Sequence, residues 1–242
     1  MKIIFSRKGF DSGAGRAPSP IVDGRAQSLP IPASSHSATS YQDLGLGNLV
    51  ERMTRRKITA DQLCHNDPMF AENYCWFGQC DAAQGHLARQ GVGVGDVFLF
   101  FGLFACPSSG QSHHRFFGFM KVAGFGSPAE AELSPAWRKP PTQHPHTIDD
   151  WPKNNTIWFG SGRTNAKASS ELRLTVEEGP TSLWNVEPWL QNHGLTYHGR
   201  ADRWLKGDRL QSVARGQEFV CEIGAAELPN RWLERIIAQI SR

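Results

Sequence analysis

The chain has 242 residues, a formal net charge of +3, 39% hydrophobic residues and 20% charged residues. This composition excludes a disordered chain and predicts a folded protein with a substantial core. No run approaches the roughly 20 apolar residues that a membrane span needs, so we expect a cytoplasmic protein without a membrane partner.

The cysteine and arginine contents set two further bounds. The five cysteines are an odd number at irregular spacing, which is typical of reduced thiols rather than of a disulfide framework. The chain has 18 Arg and 8 Lys, and arginine suits bidentate contacts to phosphate. A GC-rich gene gives the same bias, so the count is compatible with a phosphate-bearing ligand without establishing one.

The first half of the chain alternates short regular elements with loops. Lys2 to Phe5 is predicted as a strand, and residues 9–32 as a long structured loop broken by glycine and proline. Residues 43–57 have helical character, and the stretch AAQGHLARQG is predicted as a helix that ends at Gly91.

The second half contains most of the predicted strands. Val97 to Phe104 and His114 to Val122 form a predicted hairpin, because both runs are rich in aromatic and β-branched residues. Further strands are predicted at Asn155–Gly160, Leu172–Val176 and Glu218–Ile223, and an amphipathic helix at Asn230–Ile240. Residues 128–152, rich in proline, are predicted to be extended and poorly structured. Strands outnumber helices without βαβ alternation, which predicts an α+β fold, and we expect residues 1–242 to form a single domain.

The opening loop is the first candidate site. Arg7, Lys8, Asp11 and Ser12 follow the end of the first strand, among glycines whose backbone N–H groups can approach an anion. The spacing of a P-loop is absent. The alternative is that Asp11 and Ser12 are only turn and capping residues.

The motif CHNDP is the second candidate. An imidazole and a carboxylate two residues apart, His65 and Asp67, suit an acid/base pair, whereas the alternative is a local turn before Pro68. Five residues here have side chains of the types that bind zinc, namely Cys64, His65, Cys75, Cys80 and His86. Because they lack a CxxC pair, we expect no structural zinc and assign no metal ligand.

Two histidine motifs form the third candidate. His114 and Arg115 introduce the second hairpin strand, while His144 and His146 lie in the proline-rich loop. A loop folded back over the sheet would bring them into one cleft that contacts phosphate or a base edge. Two histidines two apart also match a metal chelate, but the sequence identifies no carboxylate to join them, and a solvated HPH motif is the alternative.

The segment ARGQEF is the fourth candidate. Arg215 is placed to clamp an anion, with Gln217 beside it, and a buried Glu218 would act as an acid or base; the alternative is that these side chains pair on the surface. The tryptophans, Trp151 among them, offer stacking platforms for bases, although most tryptophans belong to cores.

Taken together, these segments resemble a family of bacteria and phages, the nucleotide modification associated domain, type 3. The matching segments in chain order are SRKGFDS, PSPI, SLPIP, HNDP, GQCDAAQGHL, GDVFLFFGLF, HRFFGFMKV, HPH, NNT and ARGQEFV. The resemblance implies a role in systems that elaborate DNA bases, and it leaves the cofactor unknown. The polar motif positions that it matches are Arg7, Asp11, Ser12, His65, Asp67, Gln84, His86, His114, Arg115, His146, Asn155, Arg215, Gln217 and Glu218.

The hairpin GDVFLFFG…FFGFMKV is also similar to that of PUA-like and EVE-like barrels, which bind nucleic acid or modified bases. On this basis we expect a mixed, mostly antiparallel sheet curled into a partly open barrel, with peripheral helices and long structured loops. The similarity also supplies a rival function, a noncatalytic reader of modified bases or nucleic acid.

The leading hypothesis is a DNA base or nucleotide hypermodification factor that acts as an enzyme at the opening loop. It assigns catalysis to Asp11, Ser12, His65, Asp67 and Glu218. It assigns ligand or phosphate binding to Arg7, Lys8, Gln84, His86, His114, Arg115, His146, Asn155, Arg215 and Gln217. The expected partners are a nucleotide or a single-stranded or flipped base, and other base-modification enzymes. A nucleotide-sensing defence component is a weaker third possibility.

Overall fold

The computed structural model describes residues 1–106, 109–214 and 218–242. The strands in chain order are β1 (Lys2–Arg7), β2 (Ile21–Val22), β3 (Arg25–Ala26), β4 (Ile31–Pro32), β5 (Cys64–His65), β6 (Met69–Ala71), β7 (Tyr74–Gln79), β8 (Val97–Ala105), β9 (Ser112–Gly126), β10 (Thr156–Arg163), β11 (Leu183–Asn185), β12 (Trp204–Leu205), β13 (Arg209–Gln211) and β14 (Glu218–Glu222). The helices are α1 (Gly47–Thr54), α2 (Asp81–Arg89), α3 (Pro128–Glu132), α4 (Pro188–His193) and α5 (Glu227–Ile240). Within these residues no helix combines the length and the apolar character that crossing a membrane requires.

A large mixed sheet organises the molecule, in the strand order β14-β1-β8-β9-β10-β7-β6. β1 pairs in parallel with β8 and antiparallel with β14, and the other pairings in this sheet are antiparallel. The central strand β8 reads as a continuous apolar run because both of its faces are covered. This arrangement places the carboxyl end of β1 between the neighbouring strands β14 and β8.

The sheet curls until its two sides approach each other. Val220 of β14 and Phe77 of β7 belong to one apolar cluster, and the Gln79 side-chain amide donates to Glu218 at 2.8 Å. These contacts confirm the predicted α+β fold with a mostly antiparallel sheet curled into a partly open barrel. They also bring the ends of β7 and β14 next to the end of β1.

A second apolar cluster covers the outer face of the sheet. Phe5 of β1 packs with its ring 6.0 Å from that of Trp232 in α5 and 5.2 Å from that of Phe116 in β9. The predicted closing helix is confirmed, and it begins three residues earlier than its apolar spacing indicated, at Glu227. Apolar side chains fill this face of the sheet. The polar groups of the site lie instead beside Arg7 and Lys8, at the carboxyl end of β1.

Three sequence-based expectations were wrong in detail. Leu172–Val176 is not a strand: Leu172 ends a 3₁₀ turn, and Arg173 and Thr175 make only isolated bridges, because no continuous neighbouring edge is available to pair with them. Residues 128–152 are not uniformly extended, since they contain α3 and a 3₁₀ turn at Pro145–Thr147. The strand β7, just before the predicted helix, was missed.

Candidate active site

A pocket of about 390 Å³ opens beside the carboxyl end of β1. Its functional side chains come from three separate stretches of the chain: Arg7, Lys8 and Asp11 from the opening loop, His65 and Asp67 from the segment at β5, and His146 from the loop before β10. The structure therefore brings together the opening loop, the CHNDP motif and the HPH motif.

The basic end of the pocket is built on Lys8. Its ammonium lies 2.8 Å from Glu218 Oε1, and the same oxygen accepts the Gln79 side-chain amide at 2.8 Å. Glu218 is buried, and its Oε2 has no hydrogen-bond partner among the described residues. Glu218 thus neutralises and orients Lys8, and its predicted catalytic role stays a prediction.

Arg7 lies beside Lys8 and holds the neighbouring backbone. Its guanidinium donates to the carbonyls of Val213 and Ala214 at 3.2 and 3.0 Å. Burial lowers the pKa of Arg7, an effect that the charge of Asp11 opposes, yet a guanidinium stays protonated at neutral pH. Asp11 also lines this end of the pocket, so two cationic side chains lie here beside the carboxylates of Glu218 and Asp11.

Asp11 shapes the loop as well as lining the pocket. Its Oδ1 accepts the backbone N–H groups of Gly13 and Ala14, each at 2.7 Å, which is the turn role that carboxylates commonly take. Ser12 is exposed. The catalytic roles expected of Asp11 and Ser12 stay predictions.

A cluster of imidazoles surrounds Asp67 at the other end of the pocket; we call His65, Asp67, His144 and His146 the histidine–aspartate cluster. Asp67 Oδ2 lies 3.7 Å from His65 Nε2 and 3.9 Å from His146 Nε2, while Oδ1 lies 3.4 Å from His144 Nε2. His144 and His146 are buried, whereas His65 faces the pocket. The carboxylate of Asp67 thus lies within 4 Å of three imidazole rings.

Strand β7 provides the floor of this cluster. The backbone N–H of Gly78 donates to Asp67 Oδ1 at 2.9 Å. A Cβ atom at Gly78 would lie 2.1 Å from the His146 ring, so only glycine allows the imidazole to pack directly on the strand.

His146 is held on three sides. Its Nδ1 lies 2.5 Å from Asn155 Oδ1, and the Asn155 amide nitrogen donates to the carbonyl of His146 at 2.8 Å. The indole of Trp151 stacks on the imidazole, with ring centres 4.0 Å apart and an 11° angle between planes. The ring therefore has a fixed orientation before any ligand binds.

The pKa values of the cluster reflect burial and mutual contact. Burial lowers the pKa of His146 to about 4, against the opposing effects of Asp67 and Asn155. Burial alone would raise the pKa of Asp67, but contacts with His144 and His65 and the charges of the rings hold it well below its usual range. Asp67 is consequently an anion and His146 a neutral imidazole at neutral pH.

Cys80 also lines the pocket, but its chemistry is different. Burial and the neighbouring Asp81 raise the pKa of the Cys80 thiol. A thiol of this kind stays protonated near neutral pH and is a poor nucleophile.

Some expected ligand-binding residues lie away from this pocket. Gln84 accepts the Trp158 indole N–H at 3.1 Å, and His86 lies 3.1 Å from the Thr196 hydroxyl. His114 Nδ1 accepts the Trp184 indole N–H at 3.2 Å. These three side chains pack inside the fold, while Arg215 and Gln217 lie outside the described residues.

Arg115 belongs to a second buried group, which we call the arginine cluster: His113, Arg115, Ser169 and Arg173. It lines a separate pocket of about 440 Å³. Arg115 donates to the Ser169 carbonyl and lies 3.4 Å from His113 Nε2. The single cleft expected for Arg115 and the HPH motif is therefore two pockets, because the proline-rich loop folds onto β7 rather than across β9.

Sequence reasoning missed parts of the pocket. Gly78 and Gln79 lie in the unpredicted strand β7, whose aromatic residues in the stretch YCWFGQ are the signal that could have indicated a strand. Trp151 was identified as a stacking platform without a partner, and its place against His146 depends on the fold of the whole loop.

Comparison with known proteins gives one match. The sequence model of a family described as Nucleotide modification associated domain 3 matches residues 2–222. No curated protein and no solved structure matches the chain. Since the match covers most of the sequence, the chain belongs to this family.

Proposed function

We propose that this member of the nucleotide modification associated domain 3 family is an enzyme that chemically alters a nucleotide or a DNA base in the pocket beside β1. The description of the family associates its members with nucleotide modification. The observation that carries the enzymatic part is the convergence of Arg7 and Lys8 with the histidine–aspartate cluster in one pocket.

The basic end of the pocket suits the phosphate of the substrate. Arg7 and Lys8 are adjacent in the chain, and the Lys8 ammonium forms an ion pair with Glu218. Arginine is the preferred partner of phosphate because its planar fork donates two hydrogen bonds at once. We assign phosphate binding to these two side chains.

The histidine–aspartate cluster suits the reacting group. His65 faces the pocket with its Nε2 3.7 Å from the Asp67 carboxylate, so Asp67 is placed to orient the ring. A positioned imidazole of this kind accepts and returns a proton near neutral pH. Trp151 lines the same end and offers an aromatic face beside the base.

Access decides the form of the substrate. A base stacked within a duplex cannot enter an enzyme pocket, so the substrate is a free nucleotide, a single strand or a flipped base. The partner enzymes expected from the sequence stay a prediction.

A noncatalytic reader is the competing function. Such a module would surround a modified base with aromatic side chains and would not need a buried carboxylate beside an imidazole. Among the described residues that line the pocket, Trp151 is the only aromatic side chain besides the imidazoles. This lining favours catalysis over reading.

The decisive experiment is mass spectrometry of nucleosides from DNA and the nucleotide pool of host cells, with and without the gene. We expect a modified nucleoside that disappears with the gene and with His65→Ala, and that returns with wild type and with His193→Ala. His193 is an exposed histidine on α4 and controls for the loss of an imidazole. An unchanged nucleoside profile in every strain would contradict the proposal.

A binding measurement tests the phosphate end separately. Fluorescence anisotropy with a labelled nucleotide or single-stranded oligonucleotide should show affinity that falls as salt rises. Arg7→Gln should weaken binding about 10-fold, the value of one charge-assisted contact, whereas Arg16→Gln, an exposed arginine of the same loop, should not. Equal affinity of both variants would remove Arg7 from the phosphate site.

A further inference from the structure

We propose that His65, Asp67 and His146 together bind one divalent transition-metal ion at the inner end of the pocket. The inference rests on the proposed function only for the use made of the ion, and it replaces the proton-transfer role of His65, because an Nε2 lone pair bonded to an ion cannot also accept a proton. One ligand atom from each of these side chains lies within 4.8 Å of the others, and Asp67 Oδ2 lies 3.7 Å from His65 Nε2 and 3.9 Å from His146 Nε2. The sequence alone assigns no metal ligand, and its expectation of no structural zinc concerned the cysteines.

The hydrogen bonds of Asn155 fix the tautomer of His146. The Asn155 amide nitrogen donates to the His146 carbonyl, so its Oδ1 is the atom that faces His146 Nδ1. A carboxamide oxygen only accepts, and therefore Nδ1 carries the ring proton. The lone pair of His146 is consequently on Nε2 and points toward Asp67.

The two oxygens of Asp67 have different surroundings. Oδ1 accepts the Gly78 backbone N–H and faces His144. Nδ1 of His144 accepts the His146 backbone N–H at 3.2 Å, which places the proton of the neutral ring on Nε2, toward Oδ1. Oδ1 thus accepts the Gly78 N–H and lies 3.4 Å from His144 Nε2, whereas Oδ2 is directed at His65 and His146.

A cation would stabilise the remaining contact, which is between His146 Nε2 and Asp67 Oδ2. His146 Nε2 and Asp67 Oδ2 are both acceptors, they lie 3.9 Å apart, and both side chains are buried. Two buried lone pairs that face each other cost free energy unless a positive group lies between them. Ligand atoms bonded at about 2.1 Å to one tetrahedral ion lie about 3.4 Å apart, so the separations of 3.7 and 3.9 Å have to close by a few tenths of an ångström when the ion binds.

The surrounding groups are those that metal-binding histidines require. A ligating imidazole almost always donates its other ring N–H to an oxygen that sets its orientation, and Asn155 does this for His146. The backbone N–H of Gly78 holds Asp67 in a similar way. The arrangement is therefore a built site rather than a chance grouping of polar side chains.

The ligand set indicates a catalytic ion. Two imidazoles and one carboxylate with open positions bind ferrous iron or zinc. The pocket touches all three ligands, so water or substrate can reach the remaining coordination positions. Such an ion activates water or polarises a substrate group, at a site whose other end carries Arg7 and Lys8.

The test is metal binding by the purified full chain, stripped with a chelator and titrated anaerobically with Co²⁺, with zinc and Fe²⁺ titrated in parallel. We expect one equivalent of bound ion and a visible Co²⁺ spectrum that reports its coordination geometry. His65→Ala should lower the affinity at least about 100-fold and Asn155→Ala about 10- to 100-fold, whereas His193→Ala should leave it unchanged. Circular dichroism of each variant confirms folding, and His65, the most accessible ligand, is the least disruptive to replace.

The outcomes separate this site from the proposed function. Absence of stoichiometric binding by wild type, or full binding by His65→Ala, overturns the metal site. If His65→Ala still abolishes the modified nucleoside in that case, the proposed function stands with His65 as a general base. Stoichiometric binding that is lost in His65→Ala, with no gene-dependent nucleoside, supports the metal site and contradicts the proposed function.

Discussion

The histidine–aspartate cluster and the arginine cluster are both buried and polar, yet the first surrounds a carboxylate whereas the second brings two arginine side chains together. Around Asp67, acceptor atoms face each other across 3.9 Å. Around Arg115, the buried Nε of Arg115, Nη2 of Arg173 and the Ser169 hydroxyl have no hydrogen-bond partner among the described residues. Burial alone therefore does not identify a site; the balance of donors and acceptors tells which charge each group favours.

The pKa values show the same contrast. Burial and then the charge of Arg173 lower the pKa of Arg115 to about 10, because positive groups crowd together there. In the histidine–aspartate cluster the carboxylate stays ionised, since its rings favour the anion. The two groups should respond differently to substitution and to acid.

The largest difference is expected for activity. Asp67→Asn keeps the size of the side chain and an acceptor for Gly78, but it removes the negative charge that orients His65. We expect the modified-nucleoside yield to fall about 10²- to 10⁴-fold.

Asp96→Asn is the matched control. Asp96 is also buried and accepts backbone N–H groups of Lys2 and Gly93, at 2.7 and 2.9 Å, but it lies outside the pocket. Equal loss of yield in both variants, at equal stability, would show that Asp67 has no role in activity beyond that of another buried carboxylate.

A substitution in β7 should disturb the histidine–aspartate cluster without removing any of its polar groups. Gly78→Ala places a methyl group against the His146 ring, and we expect a loss of about 3 kcal/mol in the free energy of unfolding. Urea denaturation measures it. Gly199→Ala, at a position with no atom within 4 Å of the added Cβ, should cost much less, and equal costs would show that the ring has room to move.

Acid should weaken the arginine cluster. Burial, followed by the charges of Arg115 and Arg173, lowers the pKa of His113 to about 4, below the value of about 6.5 in an unfolded chain. The folded state therefore binds fewer protons, so its stability is complete above pH 6.5 and decreases as the pH falls toward 4. At pH 5 this linkage amounts to about 2 kcal/mol.

The check is urea denaturation at pH 7 and pH 5 for wild type and His113→Gln. The variant cannot titrate at this position and should lose less stability between the two pH values. An identical loss in both proteins would mean that His113 is not a source of the acid sensitivity.

The smallest effect is expected at the edge of the pocket. Asp11→Asn keeps an oxygen for the N–H groups of Gly13 and Ala14. The shift in melting temperature should therefore correspond to a loss of less than about 1 kcal/mol in the free energy of unfolding. If the yield also stays near wild type, Asp11 is a loop-forming residue. A collapse of the yield at unchanged melting would instead extend the catalytic region to Asp11.

The comparison also shows what the sequence determines. The strands β1, β8 and β9 and the helix α5 were predictable because their apolar patterns are long and uninterrupted. Tyr74–Gln79 was missed because its strand is short and runs directly into a helix. Leu172–Val176 has a strand-like composition, but composition does not supply a neighbouring edge.

The candidate site was predictable in its parts and not in its assembly. His65, Asp67 and His146 were each identified from local motifs, while the carboxylate that completes the HPH pair comes from a distant stretch of chain. Similarly, His114 and Arg115 lie near the beginning of β9, and only the path of the proline-rich loop separates them from the HPH motif. Such long-range placement depends on packing, which residue spacing does not encode.

The ion pair between Lys8 and Glu218 joins residues 210 positions apart, and this separation bears on the order of folding. During synthesis β1 leaves the ribosome before β14, so one edge of β1 lacks its native partner until the chain between the two strands has been made. Contacts of such long sequence separation form slowly, because a large loop must close before they contribute. The pocket is therefore among the last parts of the molecule to be completed, and a chain that has assembled it has already folded nearly everything else.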